Sequence, residues 1–380
     1  MRPITKEKFE LLLKFLQEKQ IDILMISDFE DSTNVNLQYL SGHPTDAILL
    51  ITSNGETTLI PWDVSLAGKY AEVDEIVDYS NFKYNFYLAL KEVINRGKNS
   101  SITIGVHEFI PYGSIMMMKN LIPELKFFNE PIQITNILEE LRATKSEFEM
   151  RQLIKAAQIG TKTIKDIREF CENASDETEN DLSFLVRKKM AEYGADDIAF
   201  ETLVANSSRS HEIHQYPPAS NQRFALPGLA LIDFGANYKG YHSDITIPIS
   251  FGDLSDEQEK ILRIVLESYE AAINMIDIGV PTWKVHDKVE QILKKAGYSM
   301  PYSLGHGLGL TVHDSPRIGR KPTDEYSLKH WKEEAFQEGM VFTIEPGIIK
   351  QGVGGTRLEN DIMIRNGKVE VITKSKYIQY

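Results

Sequence analysis

The sequence predicts two domains, a small α/β domain over residues 1–140 and a larger α+β domain over residues 144–380. Three observations carry this expectation. A chain of 380 residues is long enough for two cores of ordinary size. Its first third mixes helix-spaced and strand-like apolar runs and holds no catalytic constellation. The remainder groups antiparallel strand pairs apart from its helices, which argues against a doubly wound parallel sheet.

Composition narrows the class. Hydrophobic residues make up 42% of the chain and charged residues 26%, as in soluble globular proteins. No apolar run approaches the length of a membrane span. Met1-Arg-Pro-Ile-Thr-Lys-Glu-Lys8 leads straight into an amphipathic helix, without the apolar core of a signal peptide. Cys171 is the only cysteine, so an intrachain disulfide is impossible and a cytoplasmic location is expected. The net charge of −13 and the lack of a basic cluster interleaved with aromatics argue against a nucleic-acid partner.

In chain order, Phe9, Leu12, Leu13 and Leu16 have the spacing of one helical face. Ile21–Ile26 is a short β-rich run, and Asn36-Leu-Gln-Tyr-Leu-Ser-Gly42 follows a polar loop. Ala47–Thr52 and Glu56–Ile60, separated by Ser53-Asn-Gly55, form a hairpin pattern. Strand-like runs recur at Glu75–Val77 and Ser101–Val106. Met116, Met117 and Met118 fall in a helical stretch, where core filling is their expected use. Ile134–Leu141 reads as a helix, and Ser146 as the N-cap of a long helix reaching about Phe170. A second helix covers Glu179–Glu192. Strands are expected near 199–205, 229–235, 243–250, 340–345 and 357–364, with helices near 255–277 and 282–296. Ser255 and Gln258 have the capping-box spacing.

The residues with chemical character all lie after the helix Glu179–Glu192. Leu229–Phe234 and Ile245–Ile249 flank Asn237-Tyr-Lys-Gly240, the pattern of a tight hairpin. With the turn centred between Tyr238 and Lys239, Asp233 and Asp244 face each other across the ladder. Opposed residues hold their Cβ atoms about 4.5–5.5 Å apart, and like charges there repel. Burial among apolar neighbours worsens the repulsion, and a cation between the two removes it. Gly305-His-Gly-Leu-Gly309 brackets His306 with glycines, as close backbone approach requires. It lacks the Gly-Lys-Ser/Thr ending of a phosphate-binding loop. Glu345 ends an apolar run just before Pro346-Gly347. Arg357 and Glu359 alternate about Leu358 and share a strand face, where Arg357 could hold a carboxylate or meet an anionic substrate group. Four carboxylates with one imidazole suit hard or borderline dications such as Mn, Co or Zn, and their charge balances two of them. Two such ions about 3.5–4 Å apart clamp a water and lower its pKa, giving a hydroxide nucleophile.

Asp233, ten residues, then Asp244, followed by Gly-His-Gly-Leu-Gly with His313, Glu345-Pro-Gly and Arg357-x-Glu359, resembles the pita-bread metallopeptidase family. That family includes prolidase, aminopeptidase P and methionine aminopeptidase. The resemblance spans about residues 144–380. Residues 1–140 resemble the creatinase-type N-terminal domain of the prolidase branch, best at Asn36–Gly42. It implies a C-terminal pita-bread domain holding two divalent metal ions through Asp233, Asp244, His306, Glu345 and Glu359. Asp244 and Glu359 would bridge the two ions. Glu345 would also shuttle a proton to the leaving proline nitrogen. His313 would bind substrate and stabilise the oxyanion. Arg209-Ser210 and Pro217 align a second substrate histidine with His214 rather than His211.

The sequence departs from the family pattern at Asp314, where glutamate is usual, at Ile247-Pro248 in place of Arg-Thr, and in a loop before Asp233 about two residues longer. The implied activity is exopeptidase cleavage before proline, on Xaa-Pro dipeptides or longer peptides, by a homodimer without membrane partners. A non-peptidase hydrolase or lyase, or a non-catalytic binding protein, are the alternatives on this fold.

Overall fold

The computed structural model describes residues 2–29, 34–96 and 101–380, with the backbone alone at residue 330. The chain divides into two compact units, Met1–Arg142 and Ala143–Tyr380. Among the described residues no helix is long and apolar enough to cross a membrane.

In the first unit, β1 (Ile23–Asp28), β2 (Ala47–Thr52), β3 (Thr57–Pro61), β4 (Glu75–Ile76), β5 (Thr103–Val106) and β6 (Lys126–Phe127) form one mixed sheet in the order β4-β3-β2-β1-β5-β6. Every residue of the central β1 is buried, as a strand covered on both faces requires. The helix Lys6–Glu18 buries Phe9, Leu12 and Leu16, and the Thr5 side chain caps it. Residues 30–33 of the polar loop lie outside the described residues. After it, Val35–Ser41 is a helix that ends on Gly42 at φ 77°. The methionine triplet does not fill the core as expected. Met118 is buried, whereas Met116 and Met117 are 38% and 52% exposed. Successive helical residues point about 100° apart, so three in a row cannot share one face.

The second unit places two helix pairs against two sheets. Its strands are β7 (Asp197–Ile198), β8 (Leu203–Ala205), β9 (Gly228–Phe234), β10 (Ala236–Tyr238), β11 (Tyr241–His242), β12 (Ile245–Phe251), β13 (Gly305–Gly307), β14 (Asp314–Ile318), β15 (Val341–Ile344), β16 (Gly347–Lys350), β17 (Gly354–Arg357), β18 (Asn360–Arg365), β19 (Lys368–Val371) and β20 (Ile378–Gln379). One sheet runs β20-β12-β9-β8 and another β14-β13-β15-β18-β19. Helices Glu147–Asn173 and Glu179–Glu192 bury Ile159, Ile167, Leu182 and Val186 with Ile232 and Ile247 of the first sheet. Helices Asp256–Ile273 and Thr282–Ala296 bury Ile261, Val265, Val285 and Val289 with Phe342, Ile344 and Ile362 of the second. Capping boxes at Ser146/Glu149, Thr178/Asp181 and Ser255/Gln258 fix where three of these helices begin.

The Asp233/Asp244 hairpin differs from expectation in register. Lys239 and Gly240 occupy the turn with φ of 54° and 82°, the pair of positive values that a type I′ turn needs. The turn centre therefore lies one residue later than expected. Asp233 pairs with Thr246, and Asp244 sits just ahead of β12. Moving the turn centre by one residue moves each partner by two. Asp233 and Asp244 therefore keep to one face, and both are buried.

Candidate metal centre

Strand ends from both sheets, and from the separate β16–β17 pair, deliver the candidate residues. Asp233 comes from β9 and Asp244 from the lead into β12. His306 comes from β13, Glu345 from the end of β15, and Arg357 and Glu359 from the end of β17 and the step into β18. Ligand atoms of Asp244, His306 and Glu359 lie within 4.8 Å of one another. His306 Nε2 is 3.4 Å from Glu345 Oε1 and 3.6 Å from Asp244 Oδ2. Asp233 Oδ2 accepts from Arg357 Nη2, so this carboxylate is pinned from the side. Of the two uses open to Arg357 in the sequence, the structure has it hold a carboxylate. Its guanidinium also stands 5.9 Å from the Tyr302 ring centroid.

The electrostatics are those of crowded buried acids. Asp244 and Glu359 are held far above the usual carboxylate range, first by burial and then by neighbouring acids. Glu345 is pushed up to about 7, by burial first, with Arg357 opposing and Asp233 adding. Burial lowers the pKa of the His306 imidazole. Its Nδ1 faces the Gly307 carbonyl at 3.1 Å, so the proton of the neutral ring sits there. That leaves Nε2 as a bare lone pair aimed at Glu345 and Asp244.

The His313 ring lies 4.3 Å from that of His306, centroid to centroid. It too is kept neutral, by burial first and then by the neighbouring His306, with His214 also close enough to act on it. His214 is exposed and His211 half-buried on the segment before Pro217.

Against known families, residues 151–366 match the model of metallopeptidase family M24, and residues 8–144 match the Creatinase/Prolidase N-terminal domain. The chain belongs to metallopeptidase family M24. The Xaa-Pro dipeptidase of Pyrococcus horikoshii is 31% identical to it across 98% of each chain. The structure of an Xaa-Pro dipeptidase from Bacillus anthracis superposes with a TM-score of 0.83 at 28% identity, covering 98% of this chain and 99% of that one. An X-Pro aminopeptidase from Thermotoga maritima MSB8 gives 0.79 at 27% identity, covering 97% and 99%. The two-domain M24 architecture, creatinase-type then pita-bread, is the one its motifs imply.

Membership of M24 implies divalent metal, and the residues present fit it. The residues whose ligand atoms converge, Asp244, Glu359 and His306, supply two carboxylates and one imidazole. Oδ1 of Asp233 and Oδ1 of Asp244 are buried without a hydrogen-bond partner. Buried carboxylate oxygens left unmatched are costly, and a cation satisfies them.

The M24 motifs leave several supporting residues unmarked. Thr246 Oγ1 donates to Glu359 Oε2 at 2.6 Å while accepting from Arg357 Nε at 2.9 Å. Asp361 Oδ1 accepts the Asp244 backbone N–H at 3.1 Å, and Thr373 Oγ1 accepts the Asp361 N–H at 2.7 Å. The two-residue strand period was the available signal. Thr246 follows Asp244, and Asp361 follows Glu359, at that spacing. His242 and Lys145 carried no such signal. His242 lies 3.1 Å through Nδ1 from the Gly309 carbonyl, and Lys145 forms a fully buried ion pair with Asp314 at 3.9 Å.

Proposed function

We propose that this M24 chain is a dinuclear metallo-exopeptidase that hydrolyses the peptide bond before proline. Its substrates would be Xaa-Pro dipeptides or the N-termini of longer peptides. One observation carries the reading: a bare His306 Nε2 and buried carboxylates converge on one space, where divalent cations would satisfy them together. The names of the relatives, Xaa-Pro dipeptidase and X-Pro aminopeptidase, supply the bond.

Asp233, Asp244, His306, Glu345 and Glu359 would hold the ions, with Mn, Co or Zn suited to the donors. Two such ions, when bound, supply Lewis acidity and a water acidified to near-neutral pKa. Glu345 takes the proton of the attacking water at its carboxylate and returns it to the proline nitrogen as the C–N bond breaks. His313 and His214 bind the substrate, His313 as a neutral donor toward the oxygen on which charge develops. Arg357 keeps Asp233 from rotating away.

The chain is read as a creatinase-type domain over 1–140 and a catalytic domain over 144–380, cytoplasmic and homodimeric. Sedimentation at working concentration tests the dimer. For the activity, protein loaded with Mn or Co is offered Xaa-Pro dipeptides and Xaa-Pro-Xaa tripeptides. Cleavage of dipeptides alone makes it a dipeptidase, and cleavage of both an aminopeptidase. Cleavage of neither by a metal-loaded sample overturns the proposal.

A further inference from the structure

The segment Asn206–Arg223 leaves the body of the second unit, carries His211 and His214, and returns. It has no regular secondary structure to stiffen it. The His214 imidazole makes no hydrogen bond among the described residues. Something else must keep it in place, because a loop of this length free at its neck would sample many positions.

One buried side chain closes that neck. Glu179, in the first turn of the helix Glu179–Glu192, is fully buried. Its Oε1 accepts the Asn206 backbone N–H at 2.9 Å, where the segment departs. Its Oε2 accepts the Ser220 N–H at 2.9 Å and the Ser220 hydroxyl at 2.6 Å, where the segment returns. The same Oε2 receives Arg209 Nη1, and Arg209 Nη2 donates onward to the Pro217 carbonyl. Arg209 and Pro217 bracket His214. The pair therefore clamps the loop twice, at its base through Glu179 and just below His214 through Arg209. A third tie runs from the Gly355 N–H to Ser210 Oγ at 3.1 Å, on the strand that carries Arg357.

Two buried opposite charges that spend their contacts on each other and on backbone or hydroxyl partners form a rigid staple. An exposed pair would cede its hydrogen bonds to water. We infer that the buried Glu179–Arg209 pair is the positioning device for His214, setting the distance between that imidazole and the substrate while touching neither substrate nor metal. This rests on the proposed role of His214 in substrate binding.

The test uses the full-length metal-loaded protein with an Xaa-Pro dipeptide, and compares wild type, Glu179→Gln, Arg209→Lys and each of these in a His214→Ala background. Glu179→Gln is expected to raise KM about tenfold with kcat within about threefold and bound metal unchanged. Arg209→Lys, which keeps the charge but loses the second arm to Pro217, should fall between wild type and Glu179→Gln. In the His214→Ala background both substitutions should add little. An equal effect with and without His214, or a loss of metal or kcat in place of KM, overturns the inference. Hydrogen exchange gives a readout independent of activity. Faster exchange at the amides of residues 206–220 in Glu179→Gln supports the clamp, and unchanged exchange there sinks it. Should wild type cleave no Xaa-Pro substrate, the proposed function fails, while the exchange result still decides the clamp.

Discussion

The Thr246 hydroxyl lies 2.6 Å from Glu359 Oε2, to which it donates its single proton. Its oxygen accepts from Arg357 Nε at 2.9 Å, so one buried hydroxyl couples a candidate metal ligand to the cation that holds another. Thr246→Val keeps the shape and removes both bonds. The loss leaves a charged donor and a carboxylate oxygen unmatched in the interior, at a cost of about 1.5–3 kcal/mol. Metal affinity should fall roughly ten- to hundredfold, since partners behind the ligands orient them. Titration calorimetry with Mn checks this, and Thr246→Ser, which restores the hydroxyl, should recover most of the affinity.

Metal removal should reverse the pH dependence of stability in the acid range. Glu345 is raised to about 7 by burial first, against an ordinary 4.5, and Asp244 and Glu359 are raised in the same direction. Between those two values the folded metal-free protein binds more protons than the unfolded chain, so its stability falls as pH rises. For Glu345 this decline runs from pH 4.5 to about 7. Metal-loaded protein should not show this decline, because its ligands are already ionised, and metal uptake near pH 6 should release protons. Melting temperature against pH, with chelator and with Mn, is the measurement. Buried histidines with lowered pKa act in both samples, so the difference between them is what counts: chelated and metal-loaded curves that run parallel from pH 4.5 to 7 would contradict the assignment of these acids to a cation site.

How much of this was legible in the sequence follows from which signals are local. Helix starts were, because a capping box such as Ser255/Gln258 is spelled out over four residues. The candidate ligands were, because each sits in a short glycine- or proline-marked motif. The hairpin register was not. It depends on Lys239 entering the left-handed region beside Gly240, which a lysine does not advertise. The two-residue parity of strands protected the inference anyway, since the corrected register keeps Asp233 and Asp244 on one face. Glu179 was invisible because nothing in a helix-start glutamate announces partners 27 to 41 residues away.

Gly235 is expected to tolerate no side chain. A Cβ there would run into the Ser243 carbonyl oxygen, and would stand 2.9 Å from Ala199 Cβ and 3.0 Å from Phe200 Cε1. Backbone on one side and buried side chains on the other leave no soft direction for relief. Gly235→Ala should cost about 3 kcal/mol, toward the upper end of overpacking penalties. The obstructing carbonyl belongs to the residue before Asp244, so the strain should reach the metal centre. Chemical denaturation gives the stability, and metal content after reconstitution should drop with it. Gly252→Ala is the comparison. Unlike Gly235 it has a positive φ, 61°, but a Cβ there meets nothing closer than 3.8 Å, so the change should cost only about 1–2 kcal/mol and leave metal content unchanged.

Arg357→Lys separates charge from geometry. The guanidinium spends Nη2 on Asp233 and Nε on Thr246 at once, which a lysine's single ammonium cannot reproduce along the same two directions. The net charge of the site is unchanged, so a purely electrostatic role would leave metal binding and activity close to wild type. A geometric role predicts that Asp233, released on one side, turns away from its present position. Metal affinity and kcat should then fall together, by roughly ten- to hundredfold, with KM little altered. The pH–rate profile distinguishes the two further. Arg357 is among the charges acting on Glu345, and lysine preserves that charge, so the limb set by Glu345 should stay in place while the plateau drops. An unmoved limb with an unchanged plateau would leave Arg357 a purely electrostatic role and not that of holding Asp233.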